Sequence, residues 1–211
     1  MRRTKTQIII IENKEVKDIA LLPAAEGIKQ GKIVVFPTET VYGVGCRFDD
    51  ESAREKIYAL KKRDYSKPLA IYLLSTGEIE KYAVVSEAAE KVAGKLLPGP
   101  VTLVLPGRSG GKVGFRISSD EVLRRLISLC GIPLAGTSAN VSGEQSPVDG
   151  KDAIRAMDGR VDFIIDAGKT ELACESTVID LCGDEPVVLR EGAVSAEEVA
   201  RVLGCNVRKA F

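Results

Sequence analysis

Short apolar runs rich in β-branched residues alternate with stretches of helical spacing along the whole chain, and this alternation narrows the available folds more than any other feature. Residues 7–11 (QIIII) read as a strand, and Ile33 to Phe36 as a buried one. Residues 51–61 carry Ala53, Ile57 and Leu60 at helical spacing, and Leu69 to Leu74 returns to a strand pattern. Helical patterns at 77–82 and 86–96 precede strands at 101–105 and 113–117 around the turn GRSGG. Asp120 caps a helix through Leu129, and a short strand at 133–135 follows. Helix 150–157, strands 161–165, 176–181 and 186–190, and helix 195–203 complete the chain, with Ser195 and Glu198 in capping-box spacing. Pro23 is expected in the first turn of a helix that Gly31 ends. The class is therefore α/β: helices flanking a twisted mixed β-sheet. With 211 residues, no repeat and no linker, the expected organisation is a single domain over 1–211.

Composition removes several chemistries. The chain has no histidine, which excludes a Ser-His-Asp triad, a Cys-His dyad and a His-ligated zinc site. Thirty basic residues balance thirty acidic ones, which excludes a generally basic nucleic-acid binder and leaves only a local patch. Aromatic residues make up 5%, too few for an extended base-stacking platform. The cysteines Cys46, Cys130, Cys174, Cys182 and Cys205 form no C-x-x-C pair and read as reduced thiols of a cytoplasmic chain. Arg2, Arg3 and Lys5 ahead of Ile8 imitate the start of a signal segment, but Glu12 ends the apolar run at once. No run approaches the ~18 apolar residues of a membrane span.

Several segments place polar groups where core is expected. Gly43-Val44-Gly45 offers a phosphate-binding turn after a strand, although Phe48 stands where a third glycine would complete the pattern. Gly107 to Lys112 imitates a phosphate loop, but Val113 replaces its hydroxyl residue, so it reads as a flexible turn carrying Arg108 and Lys112. Lys61, Lys62, Arg63 and Lys67 crowd a helix C-terminus; a solvated turn and a triphosphate clamp are both open to them. Thr137 to Gly143 puts small polar residues at the C-terminal end of a strand, where open α/β sheets bind ligands. Arg116 and Arg190 each interrupt an apolar strand pattern, which suggests an anionic ligand or a distant acid as partner.

Seven motifs occur in order: Pro37-Thr38-Glu39-Thr40-Val41-Tyr42-Gly43, Lys61-x-Arg63 with Lys67-Pro68-Leu69, Pro98-Gly99-Pro100-Val101-Thr102, Arg116, Thr137-Ser138-Ala139-Asn140, Glu175-Ser176-Thr177-Val178 and Leu189-Arg190-Glu191-Gly192. In this order they resemble the YrdC/TsaC family of threonylcarbamoyl-AMP synthases, from about residue 16 to residue 203. The resemblance implies the YrdC-like fold around a large concave cavity. It implies formation of threonylcarbamoyl-AMP and pyrophosphate from L-threonine, bicarbonate and ATP with Mg²⁺, on the route to the threonylcarbamoyladenosine modification of tRNA. By the same resemblance Lys61, Arg63, Ser138 and Asn140 carry the activity signature. Arg63, Lys67, Lys112, Ser138, Ser146 and Arg190 fall at ATP positions, and Thr40, Tyr72, Arg116 and Ser176 at threonine positions. No protein-held metal is expected. The implied partner is a tRNA-modifying complex that receives the adenylate, with weak RNA contact and no membrane. Tyr72 stands where many relatives have histidine, and Asp64 where many have proline after K-x-R.

Overall fold

A computed structural model describes residues 5–12 and 15–211; Arg2 and Arg3 of the signal-like start lie outside the described residues. In chain order the elements are β1 (Gln7–Ile10), α1 (Asp18–Lys29), β2 (Val34–Phe36), β3 (Gly43–Arg47), α2 (Glu51–Lys61), β4 (Ala70–Tyr72), a 3-10 helix (Thr76–Lys81) and α3 (Glu87–Leu96). They continue with β5 (Val101–Pro106), β6 (Lys112–Arg116), α4 (Glu121–Cys130), β7 (Leu134–Ser138), α5 (Gly150–Met157), β8 (Phe163–Asp166), β9 (Thr177–Asp180), β10 (Val187–Arg190), α6 (Ala196–Leu203) and β11 (Arg208–Lys209). The expected mixture of strands and helices is borne out. Contacts divide the chain into two compact units, Met1–Leu69 with Asp120–Ala173, and Ala70–Ser119 with Cys174–Phe211.

In the first unit the strands run β1-β8-β2-β3-β7. β1 and β2 are parallel to β8, while β3 is antiparallel to both β2 and β7. Side chains alternate across a strand, so Val35, Val44, Cys46 and Ala135 share a buried cluster with Ala53, Ile57 and Leu60 of α2 and with Ala153 and Met157 of α5. Asp50 and Asp149 start those two helices by accepting backbone N–H groups of Ala53 and Lys151. α1 packs against α4, β2 and β3, and its Gly27 makes room for the Phe163 ring.

Two expectations fail here, each for a physical reason. α1 begins at Asp18, so Pro23 lies inside the helix and not in its first turn. Leu21, Ala24, Ala25 and Ile28 form its buried face, and their packing outweighs the one N–H that proline cannot donate. The Gly43-Val44-Gly45 segment is strand β3 and not a phosphate-binding turn. A Cβ at Gly43 would stand 2.6 Å from the Phe36 ring, and one at Gly45 2.9 Å from the same ring and 2.8 Å from the Ala135 carbonyl oxygen. These glycines leave space for an aromatic ring on β2.

In the second unit the strands run β4-β6-β5-β9-β10-β11. β4 is parallel to β6, β5 is antiparallel to β6 and parallel to β9, and β10 is antiparallel to β9. The turn between β5 and β6 closes with Gly110 and Gly111 at φ +89° and +73°, which only glycine adopts without strain. α3 packs against α6 and β5. Ser195 caps α6 by accepting the Glu198 N–H. No described helix is long and apolar enough to cross a membrane.

Candidate functional site

Within the first unit, the loop after β2 is held by its own hydroxyls. Thr38 Oγ1 donates to the Val41 carbonyl at 2.7 Å, accepts from the Thr40 and Val41 N–H groups, and lies 2.8 Å from Thr40 Oγ1. Tyr42 anchors the loop's end: its hydroxyl donates to Gly168 O at 2.7 Å and accepts from the Ala167 N–H. Its backbone joins two neighbouring segments, through Tyr42 N to Pro147 O and Ala139 N to Tyr42 O. Thr40 and the Ser138–Asn140 segment are thereby fixed side by side.

Asn140 is the centre of the next segment. Its Oδ1 accepts from the Lys61 ammonium at 3.1 Å, from Ser138 Oγ at 2.6 Å and from Ser146 Oγ at 3.4 Å. Its Nδ2 donates to Val141 O and Glu144 O. Lys61 Nζ also donates to the carbonyl oxygens of Asn140, at 2.6 Å, and of Ser138. Lys61 is 1% exposed, which overturns the reading of it as part of a solvated basic run. The signal for this was in the spacing: Lys61 follows Ile57 by four residues and so lies on the buried face of α2. Its backbone carbonyl also takes the Ser142 N–H.

The rest of the basic run forms a tight loop. Lys62 adopts the left-handed conformation at the end of α2, with φ 51°. Arg63 is half-buried, and donates from Nε to Lys67 O at 2.8 Å and from a terminal nitrogen to Pro68 O at 3.2 Å. Asp64 accepts the Ser66 N–H on its side chain and the Lys67 N–H on its backbone. That turn closes the loop. The Ser66 N–H also holds the Asp64 carboxyl below its ordinary range. The Tyr58 and Tyr65 rings stack at 4.5 Å, and the Lys67 side chain is exposed.

The second unit brings together Tyr72, Arg116, Ser176 and Arg190. Arg116, 4% exposed at the end of β6, pairs in register with Tyr72 on one side and Thr102 on the other. Thr102 Oγ1 lies 3.0 Å from Ser176 Oγ. Arg190 grips the same serine: Nε and a terminal nitrogen reach Ser176 O at 3.0 and 2.8 Å, and the terminal nitrogen also reaches Ser176 Oγ at 3.0 Å. Its other terminal nitrogen is ion-paired with Glu175. Lys112 makes a different pair, 2.6 Å from the buried carboxylate of Asp180.

Sequence reasoning missed three contributors in this unit. Thr102 and Thr177 stood inside quoted motifs without a role, and Asp180 had no motif at all. Thr177 Oγ1 donates to Val194 O at 2.5 Å and accepts the Gly192 and Val194 N–H groups at 3.0 Å each. All five cysteines are free thiols. Burial pushes Cys46 and Cys130 up to about 12 and Cys182 up to about 11, so these three stay protonated at neutral pH.

Comparison with known proteins agrees with the fold. A family model for Sua5, YciO and YrdC proteins, described as telomere recombination, matches residues 26–192. A Pyrococcus abyssi relative named threonylcarbamoyl-AMP synthase is 39% identical over 207 residues, covering 93% of this chain and 61% of its own length. A Methanocaldococcus jannaschii relative is 35% identical over 196 residues, covering 90% of this chain and 93% of its own. A solved structure of P. abyssi Sua5 complexed with L-threonine superposes with a TM-score of 0.91 at 37% identity, over 96% of this chain and 63% of that one. The chain thus spans about three fifths of the P. abyssi protein.

Proposed function

The chain belongs to the Sua5/YciO/YrdC family, and we propose that it is an L-threonylcarbamoyladenylate synthase acting as one YrdC-like domain over 1–211. It takes L-threonine, bicarbonate and ATP and releases threonylcarbamoyl-AMP and pyrophosphate. The observation that carries this reading is the Asn140-centred network, which gathers Lys61 and Ser138, from two widely separated motifs, together with Ser146 onto one amide. The relative's name and the L-threonine held by P. abyssi Sua5 support it.

The chemistry suits a chain without histidine. The threonine amine and bicarbonate give a carbamate, whose oxygen attacks the α-phosphorus as pyrophosphate leaves. That nucleophile is already anionic, so the attack needs alignment and charge neutralisation and not a general base. In this reading Arg63, Lys67, Lys112, Ser138, Ser146 and Arg190 receive ATP, while Thr40, Tyr72, Arg116 and Ser176 receive threonine. Arg116 takes the threonine carboxylate, which suits a guanidinium buried at a strand end. Lys112 exchanges its Asp180 partner for a phosphate, an exchange eased by its exposed side chain. Mg²⁺ enters on the ATP phosphates as part of the substrate. The product passes to a tRNA-modifying complex in the cytoplasm, and RNA contact by the basic loop is weak.

Pyrophosphate release from ATP, with threonine and bicarbonate omitted in turn, tests the reading. Release is expected only with both present. Release that ignores threonine overturns it.

A further inference from the structure

The position of Lys61 conflicts with a direct role on phosphate. An ammonium has three protons, and three oxygens of one short segment surround this one: Ser138 O, Asn140 O and Asn140 Oδ1. The side chain is 1% exposed, and the helix that carries it also receives Ser142 N–H on the Lys61 carbonyl. Lys61 therefore joins the end of α2 to residues 138–142 by both backbone and side chain.

The orientation of the Asn140 amide is fixed from both ends. Oδ1 faces a cation, and Nδ2 faces the carbonyls of Val141 and Glu144. Oδ1 has no proton to give, so the 2.6 Å bond to Ser138 is made with the serine's single hydroxyl proton. Ser138 then presents lone pairs to anything that approaches it.

We infer that Lys61 is a positioning residue: it sets the 138–140 segment, and through Asn140 the hydroxyl of Ser138, and it does not touch the phosphates. The inference rests on the proposed ATP binding. It separates the two cations of the K-x-R motif, since Lys61 is enclosed while Arg63, two residues on, is only half-buried.

Calorimetry with ATP and with AMP, on the full chain and on Lys61→Met, tests this. A cation acting through the segment lowers both affinities by the same factor, about tenfold. A loss much larger for ATP than for AMP marks a phosphate ligand and overturns the inference. Asn140→Ala and the double variant close the cycle: the double variant should bind no worse than the weaker single variant, whereas losses that multiply overturn it. Should Lys61→Met fail to fold, reductive methylation of the unaltered chain without nucleotide decides the matter. Lys62 and Lys67 should be modified while Lys61 is spared; modification of Lys61 at their rate overturns the inference. A chain that binds neither ATP nor AMP removes the proposed function, and the methylation pattern still decides the position of Lys61.

Discussion

Two buried side chains organise the loops of the two units, by different means. In the first unit Asn140 joins side chains: a lysine ammonium and two serine hydroxyls converge on its amide oxygen. In the second unit Thr177 joins backbone: its hydroxyl takes the N–H groups of Gly192 and Val194 and gives its proton to Val194 O. An amide that gathers side chains shapes what a ligand meets. A hydroxyl that gathers backbone fixes where a loop runs. Loss of the first should therefore show in affinity, and loss of the second in stability.

The largest effect is expected at Gly192. A Cβ there would stand 2.1 Å from Glu175 O and 2.6 Å from the Ser176 carbonyl carbon, so backbone must move against backbone. Gly192→Ala should cost about 3 kcal/mol, read as a lowered melting temperature. A melting temperature unchanged within error would dissolve the contrast drawn above.

Arg190→Lys comes next. The guanidinium holds Ser176 by three bonds and Glu175 by one ion pair, and a lysine cannot reproduce that fork. Because Ser176 is assigned to threonine and Arg190 to ATP, both affinities should fall, each about tenfold. Arg116→Lys should weaken threonine alone. Titration calorimetry with each ligand separates these outcomes, and a loss of ATP alone in Arg190→Lys would show that its grip on Ser176 does not matter.

A smaller effect depends on pH. Burial pushes the Asp180 carboxyl up, but hydrogen bonds from Lys112 and Cys182 outweigh burial and leave it below its ordinary value. A lowered folded value means stabilisation that is present above the unfolded value of about 4 and disappears as pH falls through the folded one. Asp180→Asn should thus cost about 1 kcal/mol at pH 7 and less near pH 3. Urea titrations at both values check it; an equal cost at both would remove the ion pair as the cause.

The smallest effect is none at all. Thiol reagents should modify exposed Cys174 and Cys205 first and leave pyrophosphate release intact. Inactivation mapped to one of them, with ATP protection, would place a thiol in the chemistry.

The elements most legible in the sequence were those with a cap and a clear period. α2 and α5 fall on the expected residues because an aspartate starts each and a buried stripe runs through it. Glycines misled, because β3 is a strand whose missing side chains make room for a ring that sequence spacing does not reveal. Charge misled in the same way. Lys61 sits among cations in sequence, but four residues after Ile57 it belongs to the inward face of its helix. The motifs named most residues of the candidate site, yet none of their spacings announced that Lys61 has Asn140 as its partner or that Arg190 rests on Ser176. Those are contacts between segments far apart in the chain, and only folding brings them within reach.

The ring of Phe36 also constrains how this sequence can drift. Gly43 is held to glycine by that ring alone among its nearest neighbours, whereas Gly45 meets both the ring and the Ala135 backbone oxygen. A lineage that replaced Phe36 with a smaller side chain would free position 43 to accept alanine while position 45 stayed fixed. Positions 36 and 43 should therefore covary among descendants of this chain, and 45 should not follow them.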